Sequence, residues 1–194
     1  MDIFEGRISS SGFSSGDRIV IGDWHQSPLG EFTNLMWARP DGTRILLAPS
    51  QEHADYVSAL YMFEEVRIET IMVQREERTV RVKAGELDVM MEWGRGWSIP
   101  LPRPRWFIAT IEQFFANLIF GTKTHGKTCN GLREWYCVRG IATIQQASAV
   151  YASENFGESC DFNTTACFGF SEPPTKPSSV KVRSMIESKD ERRV

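Results

Sequence analysis

The sequence predicts an α+β protein: a curved, largely antiparallel sheet or open β-barrel of about eight strands with two packed helices. Three observations carry this. Short apolar runs are joined by hairpin-like connections, which favour antiparallel neighbours. The stretch ELDVMMEW, 86–93, alternates with period two, setting Leu87, Val89, Met91 and Trp93 on one side of a strand and Glu86, Asp88, Met90 and Glu92 on the other. Such alternation marks a sheet with one buried and one wetter face. Finally, the phosphate motifs GxGxxG and GxxxxGK[ST] are missing, as is a repeated βαβ pattern, which argues against Rossmann and P-loop designs.

Taken in order, residues 1–16 are rich in Ser and Gly and read as a loose N-terminal segment. A single α+β domain is expected over 17–186, and a charged tail over 187–194. DRIVIG, 17–22, is a short strand. EFTNLMWAR, 31–39, and RILLAP, 44–49, flank PDGT, whose Pro and Gly suit a tight reversal, so this is the clearest hairpin. SQEHADYVSALYMF, 50–63, reads as a helix. The Ser50 hydroxyl is placed to cap it, Glu52 favours its positive end, and Val57, Leu60 and Tyr61 form its apolar stripe.

Three strands follow: EVRIETIMV, TVRVK and ELDVMMEW. GRGWSIPLPRPR, 94–105, is neither helix nor central strand, because proline donates no ladder hydrogen bond. WFIATIEQFFANLIFG, 106–121, is the second helix, with Phe107, Ile111, Phe114, Phe115 and Leu118 on one face and Gly121 as C-terminal cap. LREWYCVRG and IATIQQASAVYA read as a strand pair, TTACFGF, 164–170, as a short strand, and SVKVRSMI, 179–186, as the last.

Composition narrows the function classes. The chain has 194 residues, 41% hydrophobic and 24% charged, so one domain can bury a sizeable core unaided. A net charge of −3 with no basic block argues against a nucleic-acid binder. Neither a secretory signal nor a membrane-length apolar run is visible, so the expected location is cytoplasmic, with no membrane partner. Cys129, Cys137, Cys160 and Cys167 make no CxxC pair and read as free thiols. Oligomeric state is not legible.

The segments GDWHQSPLG, PDGTRILLAP, REWY and CFGFSEPPTKPS together resemble an uncharacterised family of actinobacterial proteins with GDW–SPFG, PDG–LLAP, REWY and FGF–P–PS signatures. The resemblance covers roughly residues 18–186, and Leu29 departs from it where SPFG has an aromatic residue. It implies no activity and transfers no catalytic residue. A fainter resemblance, to acetoacetate decarboxylase-like proteins, rests on the expected curved sheet and a lysine near an apolar region; fold likeness does not by itself imply function.

Two stretches hold candidate ligand-binding residues. In GDWHQSPLG, Asp23, His25 and Ser27 are the residue types of a hydrolytic triad, but their two-residue spacing in an extended segment is too wide for a relay. The functional reading makes His25 a polar anchor or base. The plainer reading is a strand-end turn in which Asp23 and Ser27 bond the local backbone. In HGKTCNGLREWYC, 125–137, the glycines and threonines suit an anion-binding nest served by Lys123, Lys127 and Arg133. The plainer reading is a solvated loop turning at Asn130-Gly131. In the strand that follows, Arg133 and Trp135 alternate with Glu134 and Tyr136, a polar pair suited to orienting a ligand or moving a proton.

Metal and cofactor are not expected: His25, His53, His125, Cys129 and Cys137 lack a paired ligand spacing. A Schiff-base role for Lys127 would need burial or a neighbouring cation to depress its pKa. Three functions remain open. The chain binds a small amphipathic or acidic molecule on the curved sheet through His25, Lys127, Arg133, Glu134 and Tyr136; or it is a lyase or hydrolase using the same place; or it docks a protein partner on the proline-rich 95–105 segment.

Overall fold

The computed structural model describes residues 1–98, 125–127, 133–162, 168–169 and 173–187, with backbone alone for 125–127, 133, 134 and 136. Strands β1 (Asp2–Phe13), β2 (Arg18–Gln26), β3 (Phe32–Ala38) and β4 (Arg44–Ala48) form an antiparallel meander. Helix α1 (Gln51–Leu60) then crosses over to β5 (Glu65–Ile68), which pairs parallel with β4. After it come β6 (Ile71–Arg75), β7 (Thr79–Ala84), β8 (Leu87–Trp93), β9 (Trp97–Ser98), β10 (His125–Lys127), β11 (Arg133–Tyr151), β12 (Glu154–Asn155), β13 (Ser159–Cys160) and β14 (Ser178–Ile186).

The hydrogen-bonded order is β5-β4-β3-β2-β1-β14-β11-β8-β7-β6. Its two ends, β5 and β6, are consecutive in sequence, so the chain at Glu69 and Thr70 spans the gap between them. The sheet is thus a curled, open barrel. Ile19, Ile21, Leu35, Trp37, Ile45 and Leu47 from one half meet Val80, Val82, Leu87, Val89, Met91 and Trp93 from the other in a core inside the curl. A second core lies on the outer face, where Phe4, Phe32, Leu46 and Ala48 pack against Ala54, Val57 and Leu60 of α1. Period-two alternation feeds both: Ile45 and Leu47 enter the first core, Leu46 and Ala48 the second.

Several expectations hold. The PDGT reversal is closed by the Gly42 amide donating to the Arg39 carbonyl and the Arg39 amide to the Thr43 carbonyl, with Gly42 at φ +89°. A positive φ there is cheap only for glycine. In β8, Leu87, Val89, Met91 and Trp93 are buried and alternate with less buried residues. Val57 and Leu60 are buried on α1.

Other expectations are corrected. The segment 1–16, expected to be loose, carries β1, a central strand of twelve residues. Serine is a poor guide here, because Ser9 and Ser11 find hydroxyl partners in Ser179 and Ser159, at 2.7 Å each. EVRIETIMV is two strands that serve opposite ends of the sheet order. The expected strand pair around residue 140 is one nineteen-residue strand, β11. Bulges between Val138 and Gly140 and between Ile144 and Gln146 bend it, so its first half pairs with β14 and its second half with β8. Fourteen strands and one helix occur among the described residues, against about eight and two expected. The helix expected at 106–121 lies outside the described residues, as do most of the 164–170 strand and the tail beyond residue 187.

Candidate functional site

On the inner face of the sheet, cross-strand register arranges side chains in rows. The deeper rows are mainly apolar, though one of them aligns Ser11 with Ile19 and Trp37. One row nearer the open end aligns Leu35, Ile21, Ser9, Ser179 and Ala142 on β3, β2, β1, β14 and β11. The next aligns Thr33, Asp23, Arg7, Lys181 and Gly140. Beyond it, Glu5 stands opposite Arg183, which stands opposite Cys137. On β1 and β14 the rows thus pass from hydroxyl to charge toward the open end.

Arg7 is central to this arrangement. Its guanidinium carbon lies 4.5 Å from the Trp93 ring centroid, and Nη1 donates to Ser179 Oγ at 3.0 Å. Ser179 in turn shares a 2.7 Å hydrogen bond with Ser9. Burial pushes the Arg7 pKa below that of a free guanidinium, against the pull of the Asp23 charge. Yet both Asp23 oxygens are already used. Arg75, reaching across from β6, donates Nε to Oδ2 at 2.9 Å and Nη2 to Oδ1 at 2.7 Å, and the Thr33 hydroxyl donates to Oδ1 at 2.7 Å. Among the described residues, Arg7 and Lys181 have no carboxylate at ion-pair distance.

The outermost row is also short of negative charge. One carboxylate, Glu5, serves two cations: Arg183 at 3.2 Å and Arg139 at 3.6 Å. Five cations thus gather on the inner face of β1, β14 and β11 and at the adjoining Arg75. Such a concentration in a chain of net charge −3 creates a local positive field suited to an anion.

The residues expected from sequence fall around this place rather than into one cluster. His25 is exposed on β2, two residues beyond Asp23. The local turn expected of GDWHQSPLG is present at Ser27, whose hydroxyl donates to the Gly30 carbonyl at 2.6 Å and accepts from the Leu29 amide at 3.0 Å. Asp23 does not join that turn, since it bonds Arg75 and Thr33 instead. The expected loop at His125 begins as a strand: Lys127 pairs with Arg133, Gly126 with Glu134 and His125 with Trp135. Arg133, Glu134 and Tyr136 lie on β11, with Glu134 opposite Ile186 and Tyr136 opposite Ser184 of β14.

Strands β1 and β14 separate His25 from the Glu134–Tyr136 stretch. Three strand spacings amount to roughly 14 Å across the sheet. A direct proton relay between them needs hydrogen-bond reach, which this register does not provide. Sequence reasoning missed Glu5, Arg7, Lys181 and Arg183. Their signal was the same period-two alternation used elsewhere: FEGRISSSG sets Glu5, Arg7, Ser9 and Ser11 on one side, and SVKVRS sets Lys181 and Arg183 opposite Val180 and Val182.

No family model matches the chain, and no curated protein matches it. Among the described residues, no helix is long and apolar enough to cross a membrane. Among solved structures, the chain is similar to the crystal structure of acetoacetate decarboxylase from Legionella pneumophila subsp. pneumophila, at 10% identity and a TM-score of 0.40. The alignment covers 95% of this chain and 81% of that one.

Proposed function

We propose that the protein binds a small acidic molecule at the open end of the curled sheet, with Arg7 as the principal anchor. The observation that supports this is a half-buried guanidinium, stacked on Trp93, with a single described hydrogen bond from Nη1 and no carboxylate at ion-pair distance among the described residues. A cation withdrawn from water is costly unless paired, so an unpaired one that persists in a built setting favours an anionic ligand. The guanidinium fork suits oxyanions, and the Trp93 ring beneath it offers an apolar surface to an amphipathic ligand.

A thermal-shift panel of small organic acids, run on the wild type and on Arg7→Met, tests the reading. A ligand at one hundred times its Kd stabilises the folded state by about 2.7 kcal/mol, which is readily seen as a rise in Tm. At least one acid should raise the wild-type Tm and leave that of the variant unmoved. If every acid tried leaves the wild type unmoved, or shifts both proteins equally, the proposal fails. Native mass spectrometry of protein purified from its own host then identifies the natural ligand.

A further inference from the structure

We infer that the acid is a dianion, with a phosphate monoester as the headgroup class, held between Arg7 and Lys181; this rests on the acid-binding reading above. Arg7 on β1 and Lys181 on β14 are direct cross-strand partners. Side chains so placed share one face, with Cβ atoms about 5 Å apart, and like charges there repel. Asp23 stands across from Arg7 on β2 and pulls on its charge, but among the described residues no carboxylate lies at ion-pair distance from either cation. Both neighbouring acids are committed elsewhere: Asp23 to Arg75 and Thr33, and Glu5 to Arg183 and Arg139.

A carboxylate ligand, with one negative charge, would neutralise one of the two cations. A phosphate monoester carries close to two charges above its second ionisation and offers three acceptor oxygens. It satisfies the fork of Arg7 and the point charge of Lys181 together. The two cations also differ in setting. Arg7 is half-buried, fixed by Trp93 and Ser179, whereas Lys181 is exposed and free to follow a ligand.

Phenyl phosphate and benzoate share a ring and differ in headgroup, so they separate the two classes. Binding to the wild type, Lys181→Met and Arg7→Lys is measured by isothermal titration at pH 5 and pH 7.5. Lys181 is a surface position, so Lys181→Met should fold. The expected result has phenyl phosphate binding about tenfold tighter than benzoate at the higher pH, with that advantage shrinking once the pH falls below its second pKa near 6. Lys181→Met should weaken phenyl phosphate about tenfold and leave benzoate unchanged, while Arg7→Lys weakens both. If benzoate binds as tightly as phenyl phosphate, or Lys181→Met affects neither ligand, the dianion assignment is overturned while acid binding stands. If neither ligand binds the wild type, both readings fall.

Discussion

The ion pair joining β6 to β2 gives a quantitative test of how the curled sheet is held at its open end. Replacing Asp23 by Asn removes the charge but keeps an oxygen for the Thr33 hydroxyl. The pair is bidentate, with Asp23 18% and Arg75 43% exposed. Two unit charges about 4 Å apart at an effective dielectric constant near 20 attract by about 4 kcal/mol before desolvation and side-chain entropy are charged against them. For a pair this exposed, those opposing effects leave about 1 kcal/mol, at the upper end for surface pairs because the geometry is bidentate. A double-mutant cycle with Asp23→Asn and Arg75→Met, followed by urea denaturation at neutral pH and low salt, should return that coupling energy. It should fall in about 1 M NaCl, where the Debye length is roughly 3 Å. The same Asp23→Asn change removes a negative charge from the row holding Arg7, so phenyl phosphate affinity should rise a few-fold. A coupling below about 0.3 kcal/mol, or one insensitive to salt, would refute the clasp as drawn.

Three further outcomes follow from particular contacts. Glu64, bonded through Arg44, has its carboxyl pKa lowered from 4.5 to about 2. A depressed carboxyl contributes stability that is fully present above pH 4.5 and is lost as pH falls through 2. Because its side chain is 47% exposed, the contribution is held under about 1 kcal/mol. The stability gap between wild type and Glu64→Gln in urea should therefore narrow between those two pH values, and a gap that persists in strong acid counts against the pair. Met91→Ala empties a fully buried position at the centre of the inner core and should cost about 2–5 kcal/mol, read as a lowered urea midpoint. Gly6→Ala would set a Cβ 2.2 Å from the Asp23 carbonyl oxygen and 2.9 Å from the Trp24 Cα, so backbone must shift and more than about 2 kcal/mol should be lost. Gly30→Ala meets no atom within 4 Å and pays only for its φ of +83°, about 1 kcal/mol. Equal Tm losses in the two glycine variants would contradict this contrast.

Much of the fold is legible wherever local pattern and tertiary environment agree. In β8, alternating hydrophobicity matches alternating burial residue by residue. The β3–β4 turn carries its own chemistry in PDGT. Legibility fails where the environment supplies what the local sequence lacks. In β1, the run Ser9-Ser10-Ser11 looks like linker, but it lies between β2 and β14, and its hydroxyls pair with Ser179, Arg18 and Ser159. Arg139-Gly140 looks like a turn and is instead a bulge inside a continuous strand, because β14 pairs with β11 on both sides of it. Ser50 sits where an N-cap belongs, yet its hydroxyl bonds His53 Nδ1 at 2.7 Å and makes no cap. The site was missed for a related reason. Val180 and Val182 announce a strand, and the cations between them read as its wet side until the neighbouring strands show that this side faces into the curl.

The placement of that charge can be argued from stability alone. At the deeper positions of β2, β3, β7 and β8 the inner face is hydrocarbon, fully withdrawn from water at Ile19, Ile21, Leu35, Val82 and Met91. On the central strands β1 and β14 the same face carries Ser9 and Ser179, then Arg7 and Lys181, then Glu5 and Arg183. Each buried hydroxyl pair contributes little net stability compared with well-packed apolar groups of the same shape, and each like-charge neighbour costs some. A sheet selected only to fold would not concentrate these costs on adjacent positions of its two most central strands. Departures from local rules gathered at one place are expected at functional or strained sites, which supports the proposed anion site. The row of Arg7 and Lys181 is where that compensation is missing from the protein itself, and therefore where a ligand's negative charge contributes most.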